Sequence, residues 1–277
     1  MTIMSILINE KKVMLGDHSL RILYTGEVDC LKAVGISDIG KCRKNNEDAL
    51  YVPSPEDDIQ NLFLVADGMG GCNAGEVASQ YAIDTFLEYI RKERDTHGEE
   101  DIPDLLTEAM ATCNKAVYEK SNSNREFAEM GTTLVAAAVQ DNKIFVAYVG
   151  DSRAYLFRKK ELNPLTTDHS YVMELVRLGS ITREEAASHP KRNIITRAVG
   201  IKETVETDAV VENALKGDIL LLCTDGLSGM ISDKEMAEVI GKRITLEKKA
   251  QKLVEMANER GGYDNISLIL VDVGGKN

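Results

Sequence analysis

Short runs of apolar and β-branched residues, each bounded by turn residues, recur along the chain and predict β-strands. The tightest succession lies between Gly131 and Arg158, where turns at Asp141-Asn142 and Gly150-Asp151-Ser152 separate three runs. Because strands joined by such short turns run antiparallel, we expect an antiparallel meander there. The predicted strands span residues 32–37, 61–66, 132–139, 143–149, 153–158, 204–211, 218–224 and 265–272.

Three longer segments place apolar residues at spacings of three and four, which predicts amphipathic helices. Their apolar faces run from Ala78 to Ile90, from Leu105 to Val117 and from Ala250 to Ala257. Each face is wide enough to cover a sheet, unlike the narrow seam of a coiled coil. Helices inserted between antiparallel strands predict a layered α+β architecture in which the helices cover the sheets.

Residues 166–200 depart from this alternation of strands and long helices. They contain two short predicted helices, Tyr171–Leu178 and Arg183–Ala187, the second with Thr182 as its N-cap, and then a polar stretch. We interpret the segment as a flap beside a functional site, because long irregular connections in compact domains are usually functional.

Composition places the chain among ordinary globular proteins, with 277 residues of which 43% are hydrophobic and 28% charged. Residues 31–273 form one predicted domain. Residues 1–30 form an N-terminal extension of unknown role, either an extra strand pair around Arg21–Tyr24 or a mobile tail. The sequence has no sign of oligomer formation, and we expect a monomer.

The charge balance limits the partners. There are 33 basic and 45 acidic residues, a net charge of −12, which argues against nucleic acid or an anionic membrane surface as the main partner. No apolar run approaches the roughly 20 residues of a membrane helix, and no signal peptide is evident. Five cysteines without a CxxC pair favour reduced thiols and a cytoplasmic location.

Four aspartates stand at the ends of predicted strands, each beside a glycine or an asparagine: Asp67, Asp151, Asp225 and Asp264. Any one of them is accounted for by a turn, since Asp-Gly commonly follows a strand. Several carboxylates at one sheet edge, however, would repel each other unless a cation neutralised them. Oxygen ligands are what Mg²⁺ and Mn²⁺ prefer, and two such ions about 3.5–4 Å apart activate a bridging water for phosphoryl displacement.

A charged segment adds further candidates. Arg43 supplies a guanidinium suited to bidentate phosphate recognition, and Glu47 and Asp48 supply two more carboxylates, although a solvated loop is the alternative interpretation. The glycine-rich residues 67–75 are either a strand-to-helix turn or backbone packed against something small and charged. The spacing before Cys42 is that of a phosphate-binding P-loop, but Cys42 replaces the hydroxyl residue that would bind Mg²⁺.

The ordered motifs resemble the bacterial branch of the PP2C-type (PPM) protein serine/threonine phosphatases, over about residues 32–273. The motifs are Arg43…Asn46-Glu47-Asp48, Val65-Ala66-Asp67-Gly68-Met69-Gly70-Gly71, Gly131-Thr132-Thr133, Gly150-Asp151-Ser152-Arg153, Thr224-Asp225-Gly226 and Asp264-Asn265. The resemblance implies a four-layer α-β-β-α sandwich of two antiparallel sheets flanked by helices, with a metal centre at one end of the sheets.

The resemblance also implies roles for the residues at matching positions. Asp67 would bridge two Mn²⁺ or Mg²⁺ ions. The first ion would also bind the carbonyl of Gly68 and, directly or through water, Asp48, alone or with Glu47.

The second ion and the substrate would be bound by the remaining motif residues. Asp225 and Asp264 would complete the second ion's ligands, and Asp151 would hold a third, weaker ion alongside Asp225. Arg43 would bind the substrate phosphate, so that Arg43, Asp67, Asp225 and Asp264 form the catalytic set.

The implied reaction is hydrolysis of phosphoserine and phosphothreonine in phosphorylated proteins by a metal-bridging hydroxide. Such an enzyme would oppose a Hanks-type serine/threonine kinase, because residues 165–200 resemble the flap of the phosphatase branch that opposes these kinases. Met69 stands where animal enzymes have a histidine proposed as general acid, which leaves the acid unassigned. Two alternatives stay open: a non-catalytic pseudophosphatase that binds phosphoproteins, and a phosphatase for anti-anti-sigma-type regulators, against which the long flap argues.

Overall fold

A computed structural model of the chain describes residues 11–15, 18–24, 31–54, 56–59, 61–70, 74–96 and 101–273. The strands in these ranges are β1 (Lys11–Leu15), β2 (His18–Tyr24), β3 (Lys32–Asp38), β4 (Asp48–Tyr51), β5 (Leu62–Met69), β6 (Gly131–Thr132), β7 (Leu134–Gln140), β8 (Lys143–Val149), β9 (Arg153–Arg158), β10 (Glu161–Pro164), β11 (Asp208–Asn213), β12 (Ile219–Cys223) and β13 (Ile266–Asp272). The helices are α1 (Ala74–Glu93), α2 (Ile102–Ser123), α3 (Tyr171–Arg177), α4 (Arg183–Ala187), α5 (Asp225–Ser228), α6 (Asp233–Ile240) and α7 (Leu246–Glu259).

Two sheets contain these strands. One sheet has the order β1-β2-β3-β13-β12-β9-β10, and the other has the order β11-β8-β7-β5-β4, with the short β6 pairing with β5. Every strand pair in the described part of the chain is antiparallel. The predicted α+β class with antiparallel sheets is therefore confirmed.

Three buried clusters hold four layers together. One cluster fills the space between the sheets and includes Val65 and Leu220. A second joins α1 and α2 to the sheet of β5, β7 and β8 through residues such as Phe86. The third joins α6 and α7 to the other sheet and includes Leu253. Each predicted helix thus buries its apolar face on a sheet, as the α-β-β-α sandwich requires.

The predicted meander is correct in its first turn and wrong in its second. β7 pairs with β8 around Asp141 and Asn142, both at positive φ as a type I′ turn requires. β9, however, belongs to the other sheet, where it pairs with β12 and β10. At Gly150 (φ +112°) the backbone lies against Thr133, and the chain crosses between the sheets there instead of folding back. β9 is then buried on both faces, with Leu156 between the sheets and Tyr155 under the helices.

Other boundaries also differ from the predictions. The strand expected at residues 204–211 is β11, Asp208–Asn213, which pairs with β8 along its whole length. The pattern did not predict the short strands β4 and β10, or α6, because each has few apolar positions or lies between turns. Both flap helices are present as α3 and α4, and Thr182 caps α4 as predicted, in a reciprocal capping box with Glu185.

The N-terminal extension is partly described. β1 and β2 form an antiparallel pair, and β2 pairs with β3 at the edge of the larger sheet. Of the five cysteines, Cys42, Cys113 and Cys223 have free thiols, whereas Cys30 and Cys72 lie outside the described residues. None of the helices in the described ranges is both long and apolar enough to cross a membrane.

Candidate active site

Two strand pairs, one from each sheet, deliver most of the acidic side chains. In one sheet Asp48 opens β4 and is paired with Asp67 on β5. In the other, Asp225 begins α5 after β12, and Asp264 comes two residues before β13. β13 contacts both β4 and β5 across the sandwich. The aspartates therefore meet at one end of the two sheets.

The fifth aspartate reaches the same place from the crossover. Asp151 follows Gly150 where the chain leaves β8 and enters the other sheet at β9. The negative charge of Asp151 contributes to raising the pKa of Asp67, as do the charges of three other aspartates, Asp48, Asp225 and Asp264. All the strand-end aspartates singled out in the sequence are thus brought together.

This convergence changes the acidity of the carboxyls. Loss of hydration first, and then the neighbouring negative charges, raise the pKa of Asp67 well above its usual value. The same two causes raise the pKa of Asp48 and that of Asp151 to about 7, and the strongest repulsion comes from Asp225 in both cases. Burial and Asp264 raise the pKa of Asp225 as well, against a hydrogen bond with Asp67. The centre disfavours negative charge and would accept compensating cations.

Two glycines let the backbone of these segments approach closely. A Cβ on Gly226 would lie 1.9 Å from the carbonyl oxygen of Asn265. Only glycine at this position therefore lets the chain after Asp225 pack against the chain after Asp264. A Cβ on Gly68 would lie 2.0 Å from the carbonyl oxygen of Gly75. Such contacts exclude any side chain at these positions.

Hydroxyl groups that the sequence reading left without a role fix the aspartates. The Thr224 hydroxyl donates to Asp48 Oδ2 at 3.0 Å and accepts from the backbone N–H of Ser267 at 3.0 Å. The backbone N–H of Asp67 donates to the Thr133 hydroxyl at 2.9 Å. The only sequence signal for Ser267 was a polar residue inside an otherwise apolar strand.

Arg43 pairs with a neighbouring acid. Its Nη2 donates to Asp264 Oδ2 at 2.9 Å, and its Nε lies 2.9 Å from Asp264 Oδ1. Its Nη1 is 3.7 Å from Glu47 Oε2. Although burial alone would lower it, the hydrogen bond with Asp264 and the surrounding carboxylates raise the pKa of Arg43. The side chain is 46% exposed, so one face of the guanidinium is open to solvent beside the acidic centre.

The backbone around Glu47 is held by asparagines. The Glu47 N–H donates to Asn265 Oδ1 at 2.8 Å, and the Asn265 amide donates to the carbonyls of Ile39 and Asn45. The Glu47 carbonyl accepts from the Gly68 N–H at 3.0 Å. Asn265 therefore joins the Arg43–Asp48 segment to the end of β13.

The donor set fits divalent cations. Asp48 Oδ1 and Asp225 Oδ1 are buried without a hydrogen-bond partner, although unpaired buried carboxylate oxygens are costly. Within the described ranges, no three Asp, Glu, His or Cys side chains form a metal-ligand cluster by themselves. The two orphaned oxygens are hard oxygen donors, the ligand type that Mg²⁺ and Mn²⁺ prefer.

The flap is tied to the same centre at both ends. Before it, the N–H of Gly150 donates to His169 Nδ1 at 3.1 Å, and Arg153 makes two hydrogen bonds to Asp168. After it, Val199 and Thr132 exchange backbone hydrogen bonds, and the Thr132 hydroxyl donates to the carbonyl of Asp67 at 2.9 Å. These contacts hold both ends of residues 166–200 beside the acidic centre.

The last residue of β5 is Met69, at the position where the family resemblance places a histidine in animal enzymes. Met69 is paired with Gly131 on β6, and its thioether has no proton to donate. Gly71, the last residue of that predicted motif, lies outside the described residues.

Comparisons with known proteins cover most of the chain. Residues 41–265 match the family described as "Protein phosphatase 2C". The serine/threonine phosphatase stp of Listeria monocytogenes serotype 4b (strain F2365) is 40% identical over 236 residues, which are 85% of this chain and 93% of that protein.

Solved structures agree. A Streptococcus agalactiae serine/threonine phosphatase superposes with a TM-score of 0.81 at 39% identity, covering 87% of this chain and 98% of its own. The catalytic domain of the phosphatase PstP in complex with two manganese ions superposes with a TM-score of 0.76 at 36% identity, covering 87% and 97%.

Proposed function

The chain belongs to the protein phosphatase 2C family and is a protein serine/threonine phosphatase, and from that premise we propose that the acidic centre described above is its active site. The family is metal dependent, and one relative was solved with two manganese ions. The substrates are phosphorylated proteins. Each residue of the centre has a proposed role in metal or substrate binding.

We assign the ligands of two divalent cations, Mn²⁺ or Mg²⁺, to the converging aspartates. Asp67 would serve both ions, since its carboxylate feels the charges of all the others. The Gly68 carbonyl and Asp48, with Glu47 beside them, would serve one ion, and Asp225 and Asp264 the other.

A third, weaker ion would be held by Asp151 together with Asp225. Burial first, and then repulsion from Asp225, raise the pKa of Asp151 to about 7, and that repulsion supports this pairing. When bound, the ions supply Lewis-acid stabilisation of the phosphoryl charge and a lowered pKa for the attacking water.

Arg43 would bind and orient the substrate phosphate. Its guanidinium is already aligned by Asp264, which leaves the exposed face available for phosphate oxygens. A bidentate guanidinium holds a phosphate in one orientation, and orientation accounts for much of the catalysis of phosphoryl transfer. Met69 cannot protonate the leaving serine or threonine oxygen, so water or a flap residue would supply that proton.

The observation that supports this assignment best is the pair of orphaned carboxylate oxygens on Asp48 and Asp225. The test is Mn²⁺-dependent hydrolysis of a phosphothreonine peptide by Asp225→Asn. We expect loss of activity and of calorimetric Mn²⁺ binding, whereas Asp141→Asn, in an exposed turn, retains both. Wild-type activity in Asp225→Asn would refute the assignment, and Mn²⁺ binding by the wild type without hydrolysis would support the pseudophosphatase instead.

We further propose the cellular setting. The enzyme would be a cytoplasmic monomer, with a phosphatase domain at residues 31–273, that reverses phosphorylation by a cognate serine/threonine kinase. The free thiols of Cys42, Cys113 and Cys223 are typical of a reducing compartment. Comparison of phosphoproteomes with and without the active enzyme would identify the substrates that it shares with such a kinase.

A further inference from the structure

The segment before the acidic centre has an unusual charge. Lys41, Arg43 and Lys44 place three basic side chains within four residues, in a protein whose net charge is −12. The whole stretch 41–45 is exposed. A concentrated positive charge beside a predominantly acidic surface creates a local attraction for anions.

Backbone contacts hold this segment against the loop that precedes β13. The N–H groups of Lys41 and Cys42 both donate to the carbonyl of Gly262, at 2.8 and 3.2 Å. The Cys42 thiol points to the carbonyl of Gly261 at 3.7 Å. The backbone that carries the basic side chains is therefore held by the fold beside the loop that contains Asp264.

An exposed aromatic residue completes the surface. Tyr263 is 64% exposed and directly precedes Asp264, the acid that Arg43 binds. Its ring lies against the backbone of Gly261, where a Cβ would come within 2.5 Å of Cε2. One side of the ring thus packs against the backbone of Gly261, and the rest is exposed to solvent. We call Lys41, Arg43, Lys44 and Tyr263 the basic rim.

The two lysines of the basic rim differ from its arginine. Arg43 is neutralised by Asp264 and Glu47. Among the residues that the structure describes, no carboxylate forms an ion pair with Lys41 or Lys44. Their charges are available to a bound molecule.

We propose that the basic rim is a docking surface for acidic phosphopeptide segments, in which Lys41 and Lys44 contact acidic residues that flank the phosphorylated one and Tyr263 packs against the peptide chain. This inference rests on the proposed function, because it places the phosphorylated residue at Arg43. It adds a preference among phosphoprotein substrates that the acidic centre itself does not set.

The physical basis is short-range charge complementarity. Exposed ion pairs contribute little each, so each lysine should change kcat/KM by about two- to fivefold. The attraction decays over a Debye length, which is about 10 Å at 0.1 M salt and shortens as salt is added. The preference for acidic peptides should therefore depend on ionic strength.

The test compares two phosphothreonine peptides as substrates of the Mn²⁺-loaded 277-residue chain. One peptide has glutamates beside the phosphothreonine, and the other has alanines at the same positions. We expect a higher kcat/KM for the glutamate peptide, a preference that shrinks with added salt. Lys41→Ser with Lys44→Ser should reduce the preference toward one. Lys242→Ser is the control, because Lys242 is exposed and lies far from the acidic centre. Its neighbour Gly241 packs on Phe157, at the opposite end of β9 from Asp151.

Tyr263 is tested separately. Tyr263→Ala should raise KM for both peptides about two- to tenfold, the range of aromatic packing contacts, with kcat retained, and Tyr263→Phe should restore KM. A fall in kcat without a change in KM would overturn a docking role for the ring.

The outcomes separate the two proposals. Equal kcat/KM for the two peptides in the wild type, or a preference that the double lysine variant keeps, overturns the docking proposal while leaving the phosphatase assignment intact. Failure of the wild type to hydrolyse either peptide would overturn both.

Discussion

Arg43 and Asp264, which lie 221 positions apart in the chain, are joined by two contacts of 2.9 Å that engage both carboxylate oxygens. The pairing places the cationic group that we propose to bind phosphate directly on an acid that we propose as a metal ligand. Under this assignment, phosphate binding and metal binding share a residue pair. A fork-shaped guanidinium can contact a second anion while it keeps its first, which an ammonium group does less well.

Arg43→Lys is expected to keep the positive charge but lose the fork. KM for a phosphothreonine peptide should rise at least about tenfold, because a hydrogen bond to a charged group contributes about 1.5–3 kcal/mol and 1.4 kcal/mol is a factor of ten. Steady-state kinetics with saturating Mn²⁺ measure this directly. Arg91→Lys, whose guanidinium pairs with Asp58 on the α1 surface, is the control and should behave as wild type. An unchanged KM in Arg43→Lys would remove Arg43 from phosphate binding.

Thr224 donates a hydrogen bond to Asp48, and through it would orient a ligand of the proposed metal centre. Thr224→Val keeps the shape of the side chain but removes the donor to Asp48 Oδ2. Because groups that orient metal ligands typically change affinity by 10–100-fold, we expect about that loss in Mn²⁺ affinity by calorimetry. Thr107→Val, in α2, removes a hydroxyl that donates to the Pro103 carbonyl and should leave Mn²⁺ affinity unchanged. Equal affinities for the two variants would contradict the orienting role.

Stability should depend on pH in opposite ways with and without metal. The pKa of Asp48 and that of Asp151 are raised to about 7 from 3.8, so between these values the folded protein holds protons that the unfolded chain has lost. The free energy of unfolding in EDTA should therefore fall as the pH rises from about 4 to 7, because repulsion replaces the protonated pairs.

Bound Mn²⁺ should reverse this trend, since the ligands bind metal only when deprotonated. Each pKa unit corresponds to about 1.4 kcal/mol, which in a domain of this size is a few degrees in melting temperature. Thermal melts at several pH values, with EDTA and with Mn²⁺, measure the effect, and Asp225→Asn should weaken the decline in EDTA. Parallel pH profiles in the two conditions would show that the carboxylates do not meet as described.

Local patterns were sufficient to single out the candidate aspartates. Asp67 and Asp225 stand beside a glycine directly after an apolar run, and that arrangement requires no knowledge of distant residues. The same holds for α4, because Thr182 and Glu185 form a capping box within one turn. Features that are determined by residues close together in the sequence could therefore be predicted from it.

Contacts between distant segments could not be found in this way. The turn at Gly150 gave no indication that β9 belongs to the other sheet, because the choice depends on β12, more than sixty residues later. The pairing of Arg43 with Asp264 and the bond from Thr224 to Asp48 likewise join segments that only the assembled sandwich brings together. Polar residues such as Ser267 have no pattern of their own.

The anchor at the end of the flap offers a prediction about stability. Asn114 is almost fully buried in α2; its amide donates to the carbonyls of Lys202 and Glu203 at 3.0 Å each, and its Oδ1 accepts from the Gly200 N–H at 2.8 Å. Gly200 is at φ +87°, and a Cβ there would lie 2.2 Å from Val117. The chain that returns from the flap is therefore fixed to the helix by one side chain.

Asn114→Ala should cost at least about 1–3 kcal/mol in the free energy of unfolding, because it leaves buried backbone groups without partners. Asn122→Ala, at an exposed position of the same helix, should stay within about 0.5 kcal/mol of wild type. Urea denaturation of both variants measures the difference. Since residues 200–203 continue from Val199, which pairs with Thr132 below Asp67, we also expect Asn114→Ala to lower Mn²⁺ affinity, whereas Asn122→Ala does not. A destabilised Asn114→Ala with wild-type Mn²⁺ affinity in the folded state would show that the flap anchor and the metal centre are independent.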